Sequence, residues 1–313
     1  MKREGPAAEL VADAGDAAAE GEFFRSPEFL GAEGATHTLR ISGPGGELLA
    51  PLIVRADLPG GRRDAVSPYG YPGFASRAAE AVDPTAVDYG PTGLVSLFVR
   101  HALGREPPLL GATARNTVFL ADPGLPRKSR MSDRQQVRRN ERSGYEVRIV
   151  AGPQSSPAER HGFFEAYTQT MIRARAAERY MYPPAYFDRI LAFADSWLAL
   201  CEDSASTVAA ASVLVRSDGL LHYHLSGTAD EHLRASPMKN VVTTLADFAE
   251  ERGMPLNLGG GITAGDRLEE FKRGFANREL QLHTSEVVCD AAAYEQLSAR
   301  SPAGGFFPAY RAG

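Results

Sequence analysis

Apolar side chains recur at three- and four-residue intervals between positions 237 and 252, at Met238, Val241, Val242, Leu245, Phe248 and Ala249, and this spacing predicts an amphipathic helix. Ser236 stands before it as the expected N-cap and Gly253 after it as the stop. Upstream, apolar runs at 207–216 and 220–227 read as strands, and the Ser217-Asp218-Gly219 between them carries the Asp-Gly pair favoured in tight hairpins. Helices are predicted at 157–178 and 184–200. After the 237–252 helix come a strand at 255–258, a Gly259-Gly260-Gly261 loop, a short helix at 266–274, a strand at 280–289 and a helix at 291–300.

The first half patterns differently. A short apolar-anchored helix at 22–30 precedes two strand candidates, 36–41 and 48–56, split by Gly43-Pro44-Gly45-Gly46. A Gly/Pro-rich aromatic loop follows at 67–74, then a predicted helix at 92–103, a strand at 116–120, an arginine-rich segment at 127–142 and a strand at 145–150. The Gly- and Pro-bearing loop at 151–156 is the expected domain boundary. The reading is therefore a mobile tail at 1–21, one α/β domain at 22–152 and a second at 153–313.

With 313 residues, 43% of them hydrophobic and 23% charged, the chain has the material for two cores of roughly 120 to 150 residues each. The formal net charge of −5 argues against a dedicated nucleic-acid coat and shifts attention to local charge. Cys201 and Cys289 stand far apart without a partner at metal-ligand spacing, so neither a disulfide framework nor structural zinc is expected, and a reducing cytoplasm fits. The Ala/Gly/acid-rich first 21 residues hold no continuous apolar stretch, and no run of 18 apolar residues occurs elsewhere. Neither a signal peptide nor integral membrane association is expected. There is no Gly-x-Ser-x-Gly elbow and no P-loop, and the triple glycine does not extend to Gly-x-Gly-x-x-Gly.

The element order helix, helix, strand, strand, helix, strand, helix, strand from 157 onward resembles an N-acetyltransferase-like (GNAT) domain, a mixed sheet splayed near its middle. Several local patterns between Phe23 and Asp290 resemble the Fem family of aminoacyl-tRNA-dependent peptidyltransferases, which pair two such domains. They are Ser67-Pro68-Tyr69-Gly70-Tyr71-Pro72-Gly73, Arg139-Asn140-Glu141-Arg142, the aromatic and arginine pattern of 163–186, the strand at 220–227, and 256–261 followed by 266–275. The resemblance implies an α/β (α+β) fold of two tandem GNAT domains. It also implies no cofactor, and transfer of an amino acid from a tRNA ester to an amine-bearing acceptor, either a cell-wall precursor or a natural-product intermediate.

Ester aminolysis needs a free amine, a route for its proton and stabilisation of the developing oxyanion. Lys272, behind Phe271, matches the Phe-Lys pair that the family uses to stabilise the tetrahedral intermediate, and Phe271 is carried over with it as substrate-binding. Tyr223 corresponds to a site tyrosine on the equivalent strand, for positioning or proton relay; strand alternation sets it opposite His222 and His224. A metal at that His-x-His pair lacks a third ligand and is not expected. Tyr69 and Tyr71, with polar tips on a turn-forming loop, suit an extended acceptor, and Arg175, Tyr180 and Tyr182 fall where the family holds phosphate and acceptor groups. Asp266 is a candidate base.

The segment 127–142 carries seven Lys or Arg against one Asp and one Glu. Arg130, Arg134, Arg138, Arg139 and Arg142 are its candidate tRNA contacts. An acyl-CoA-dependent N-acyltransferase is the competing reading. It should show Arg/Gln-x-x-Gly-x-Gly/Ala, but Arg234-Ala235-Ser236-Pro237-Met238-Lys239 puts Pro237 and Lys239 at the glycine positions. A non-catalytic sugar- or peptide-binding module is the third.

Overall fold

The computed structural model describes residues 5–312 apart from 20, 77, 79, 264, 300 and 303. The chain folds as two units. One comprises residues 1–20, 24–115 and 281–313, and the other residues 21–23 and 116–280. The expected boundary at 152 is therefore corrected. The strand that ends there hydrogen-bonds along its length to residues 197–202, so it belongs to the second unit. Gly152 belongs there too: a Cβ on it would lie 2.0 Å from Ser196 Oγ, which makes it a point of close backbone approach rather than a linker.

The first unit contains β1 (Ala7–Val11), α1 (Pro27–Ala32), β2 (His37–Gly43), β3 (Gly46–Leu58), β4 (Arg62–Val66), β5 (Ala75–Ser76) and β6 (Leu94–Arg100). The tail expected at 1–21 contains an ordered strand: β1 pairs antiparallel with β2 from Ala7↔Ser42 to Val11↔Thr38, and Ala8 and Ala17 are buried. Two alanines gave too little apolar signal to show this; residues 1–4 and 20 lie outside the described residues. The hairpin predicted between 36 and 56 forms as β2–β3. The helix expected at 92–103 is strand β6, whose Leu94, Val95, Leu97 and Val99 are all buried. Burial on both faces erases the alternation that distinguishes a strand from a helix. β4 and β6 run parallel, the other neighbours antiparallel, giving a mixed sheet around Leu39, Ile41, Leu48, Leu52 and Leu97.

The second unit receives the chain within β7 (Thr113–Ala121) and continues through α2 (Met131–Arg142), β8 (Glu146–Ala151), α3 (Pro157–Arg173), α4 (Pro184–Ile190), β9 (Ser196–Glu202), β10 (Val208–Ser217) and β11 (Leu220–Thr228). After α5 (Met238–Glu251), β12 (Leu256–Gly259) and α6 (Arg267–Arg273), β13 (Arg278–Val288) returns to the first unit, where α7 (Ala291–Ser298) follows. The sheet order is β7-β12-β11-β10-β9-β8, antiparallel except for β11 and β12. The helix expected at 184–200 stops at Ile190 and the chain turns into β9, because the run Trp197–Cys201 is needed between β8 and β10. Ser236 is not the N-cap of α5. It sits at φ 50°, Pro237 takes the cap position, and no side chain caps that end.

α3 is held at its start by a reciprocal box in which Glu159 N–H donates to Ser156 Oγ at 3.3 Å and Ser156 N–H donates to Glu159 Oε2 at 2.5 Å. Ser156→Ala removes one partner of that box and is expected to cost about 1 kcal/mol in urea unfolding. An unchanged midpoint would contradict this.

Candidate active site

The parallel β11/β12 pair is joined over only two residues, Leu221↔Leu256 and His222↔Asn257, so the strands part toward their C-terminal ends. A buried polar chain fixes the last joined step. Gly259 N–H donates to Asn257 Oδ1 at 2.8 Å, Asn257 Nδ2 to His222 Nδ1 at 3.0 Å, and His222 Nε2 to Ser217 O at 3.1 Å. Both nitrogens of His222 are thus engaged in structure. Burial holds His222 down at about 4 and His224 at about 3, so both rings are neutral at pH 7. Among the described residues no three His, Cys, Asp or Glu side chains gather as a metal site.

Lys272, on α6, lies under the glycine loop that follows β12. Its ammonium donates to Gly260 O at 2.7 Å, and a Cβ on Gly259 would come within 3.0 Å of Nζ. The side chain is 8% exposed. Desolvation lowers its pKa to about 8, against a smaller opposing pull from Asp266. Gly259 sits at φ 78°, and Gly260 passes β7 so closely that its Cβ would meet Thr117 O at 2.6 Å. Both glycines border Lys272, and their signal in the sequence was the unbroken triplet itself. Gly259→Ala is expected to displace the ammonium and lower turnover at least about tenfold at a stability cost of about 1 kcal/mol. Wild-type turnover in that variant would refute the placement.

Phe271 packs against Phe275 with tilted rings 5.3 Å apart within the α5-side core, which Tyr223 also joins. Burial pushes the Tyr223 phenol up to about 12, partly offset by a hydrogen bond with Ser226. His224, by contrast, meets Phe23 at 5.4 Å on the opposite face. Asp266 is not poised as a base: its Oδ1 accepts from Glu269 N and its Oδ2 from Ile262 N and Thr263 N, so it caps α6 and closes the loop before it.

Most amides of the loop leading into α5 are already engaged. Ala235, Ser236, Lys239 and Asn240 donate their amides to His232 O, Leu233 O, Ser236 O and Pro237 O, and Pro237 has none. Lys239 Nζ turns to Asp133 Oδ1 at 2.9 Å, and Asn140 Nδ2 binds Ala235 O at 2.8 Å and Asn240 Oδ1 at 2.7 Å. The polar pair Asn140–Asn240 went unnoticed in the sequence, where its only sign is an asparagine on each helix's apolar face.

The remaining candidates are dispersed. Tyr71 meets Phe24 edge-on at 5.4 Å, and Tyr69 N–H donates to Glu33 Oε2 at 2.9 Å, so their loop is fastened to the α1 segment of the first unit. In the second unit, α3 ends at Arg173; Arg175 is exposed at φ 49° just beyond, and Tyr182 stacks on Tyr186 at 3.9 Å. The Tyr180 carbonyl accepts from Tyr167 Oη at 2.7 Å. Arg130 reaches Glu270, whereas Arg134, Arg138, Arg139 and Arg142 are exposed along α2.

A mixed sheet parted at one parallel pair, with a helix entering beside the parting strand, is the arrangement of an N-acetyltransferase-like fold. Residues 127–273, within the second unit, match the family model described as an acetyltransferase (GNAT) domain, which marks that unit as an acyltransferase-type domain. The structure of FemX covers 90% of this chain and 96% of its own at 11% identity, with a TM-score of 0.61. L-PGS from Bacillus licheniformis covers 84% and 87% at 12% identity, with a TM-score of 0.57. The C-terminal domain of a putative lysylphosphatidylglycerol synthetase from Agrobacterium fabrum covers 82% and 84% at 13% identity, with a TM-score of 0.50. These likenesses are of fold. No curated protein sequence matches the chain. Among the described residues no helix is long and apolar enough to cross a membrane.

Proposed function

We propose that the protein transfers an amino acid from the 3′ ester of an aminoacyl-tRNA to an amine-bearing acceptor, forming an amide. The observation that carries this reading is Lys272, a cation buried beside Gly259 and Gly260 where β11 and β12 part. The acceptor amine attacks the ester carbonyl, the ammonium of Lys272 stabilises the resulting oxyanion, and collapse expels the ribose 3′ oxygen, which takes up the proton released by the attacking nitrogen. A phenol pushed up to about 12 keeps its proton at neutral pH, so Tyr223 serves to donate a proton or hydrogen bond, not to act as base. Phe271 walls the site, and Tyr69, Tyr71, Arg175, Tyr180 and Tyr182 are proposed acceptor- and phosphate-binding groups. The acceptor class, a cell-wall precursor or natural-product intermediate, follows from the Fem resemblance.

The match to an acetyltransferase domain favours acyl-CoA as a second donor. Against it stand the engaged amides of Ala235, Ser236, Lys239 and Asn240, the missing amide of Pro237 and the Lys239–Asp133 pair. Thermal shift separates the two. A short RNA hairpin carrying a non-hydrolysable 3′-amide amino acid should stabilise the protein, by about 2.7 kcal/mol at 100 times its Kd, while acetyl-CoA should not. Stabilisation by acetyl-CoA and none by the RNA would overturn the proposal.

A further inference from the structure

Helix α2 has two faces of opposite character. Asp133, Val137 and Asn140 are buried. On the other side Arg134, Arg138 and Arg142 follow one another at four-residue steps with Arg139 beside them, and all four are exposed. From Arg134 to Arg142 the row spans about 12 Å, a little over two turns. Elsewhere in the second unit, Arg127, Arg130, Arg148, Arg160, Arg173, Arg216, Arg273 and Arg278 each meet a carboxylate. Among the described residues, none of Arg134, Arg138, Arg139 and Arg142 has a carboxylate within 4.0 Å. Arg134 reaches only Ser129 O, Arg139 only Gln136 Oε1 at 2.7 Å, and Arg142 only Arg138 O at 3.2 Å. In a chain of net charge −5, these four guanidiniums gather on one helix face as a local positive patch. Arg138, Arg139 and Arg142 border a depression of about 620 Å³ along with Gln135 and Glu141.

The inner face is fastened to the loop leading into α5. Gln136 Nε2 and Asn140 Nδ2 both bind Ala235 O, at 3.0 and 2.8 Å, while Asp133 holds Lys239. The helix therefore cannot shift without that loop. Where related folds offer backbone amides to a diphosphate, this unit offers guanidiniums one helix away.

We propose that the outer face of α2 binds the RNA phosphate backbone, through Arg134, Arg138 and Arg142 as the principal contacts. Guanidiniums spaced along a rigid helix suit successive phosphates, each of which they can engage by paired hydrogen bonds. The assignment rests on the tRNA-donor reading but is tested without it.

The test is fluorescence anisotropy of a labelled RNA hairpin ending in single-stranded CCA, titrated with the full chain at several salt concentrations. Arg134→Gln/Arg138→Gln/Arg142→Gln should weaken binding at least about tenfold and flatten the log Kd against log salt slope by about 2, while Arg189→Gln on α4 should change neither. All three substitutions are at exposed positions, and circular dichroism would verify the fold. A triple variant with wild-type affinity and slope, or a wild-type chain that binds no RNA, would overturn the proposal. If transfer from aminoacyl-tRNA persists beside either result, the α2 assignment fails and the donor reading stands. If the triple variant loses RNA binding while the wild type transfers only from acyl-CoA, the donor reading fails and α2 stands.

Discussion

Lys272→Met is expected to lower turnover by about 10²–10³ with acceptor KM changed less than about threefold, the signature of an interaction made chiefly with the developing oxyanion. The wild-type rate should fall as pH rises through about 8, where the ammonium loses its charge, and the residual rate of the variant should lack that limb. Stability should move the other way. The folded-state pKa of about 8 lies below the ordinary 10.5, so the native state carries the full cost of the buried charge below pH 8. That cost, roughly 3 kcal/mol, is relieved progressively as pH rises from 8 toward 10.5, where the unfolded chain would also deprotonate. Urea midpoints should therefore show Lys272→Met at least as stable as wild type at pH 7, the difference shrinking by pH 10. A variant that is both inactive and destabilised at pH 7, with no pH-dependent narrowing, would assign Lys272 a packing role instead.

Gly227→Ala is expected to cost about 4 kcal/mol or to prevent folding. α3 crosses β11 so closely that a Cβ on Gly227 would lie 2.3 Å from the Ala166 carbonyl carbon and oxygen and 2.4 Å from Tyr167 N. Backbone atoms of a packed helix cannot rotate aside as a side chain does, so the helix must lift, uncovering Phe163, Ala166 and Tyr167, all now buried. Gly219→Ala is the control. It sits at φ 75° with nothing within 4 Å of its would-be Cβ, so only backbone strain of about 1 kcal/mol is expected. Equal urea midpoints for the two variants would show that the close approach carries no weight.

Where local chemistry decides an element, the sequence showed it. Asp218-Gly219 marked the β10–β11 hairpin. Where tertiary burial decides, it did not. β6 and β9 are covered on both faces and lost their period, and β1 fully buries only the small side chain of Ala8. The site divides in the same way. Lys272 was legible through its neighbour Phe271, but its desolvation depends on Gly259 and Gly260 folding over it, a contact across twelve residues. The α2 arginines were legible as a run. That their carboxylates are missing, while those of Arg127 and Arg130 are present, depends on which helices pack alongside. The loop at 234–239 was half legible, through Pro237 and Lys239. Its fastening by Asp133 and Asn140 comes from a helix about 100 positions earlier in the chain.

The central claim is the donor, and the most direct measurement is transfer of a radiolabelled amino acid from charged tRNA to amine acceptors. The account predicts amide product that forms without CoA and disappears after RNase treatment of the donor. Product that survives RNase treatment and requires acyl-CoA would contradict it.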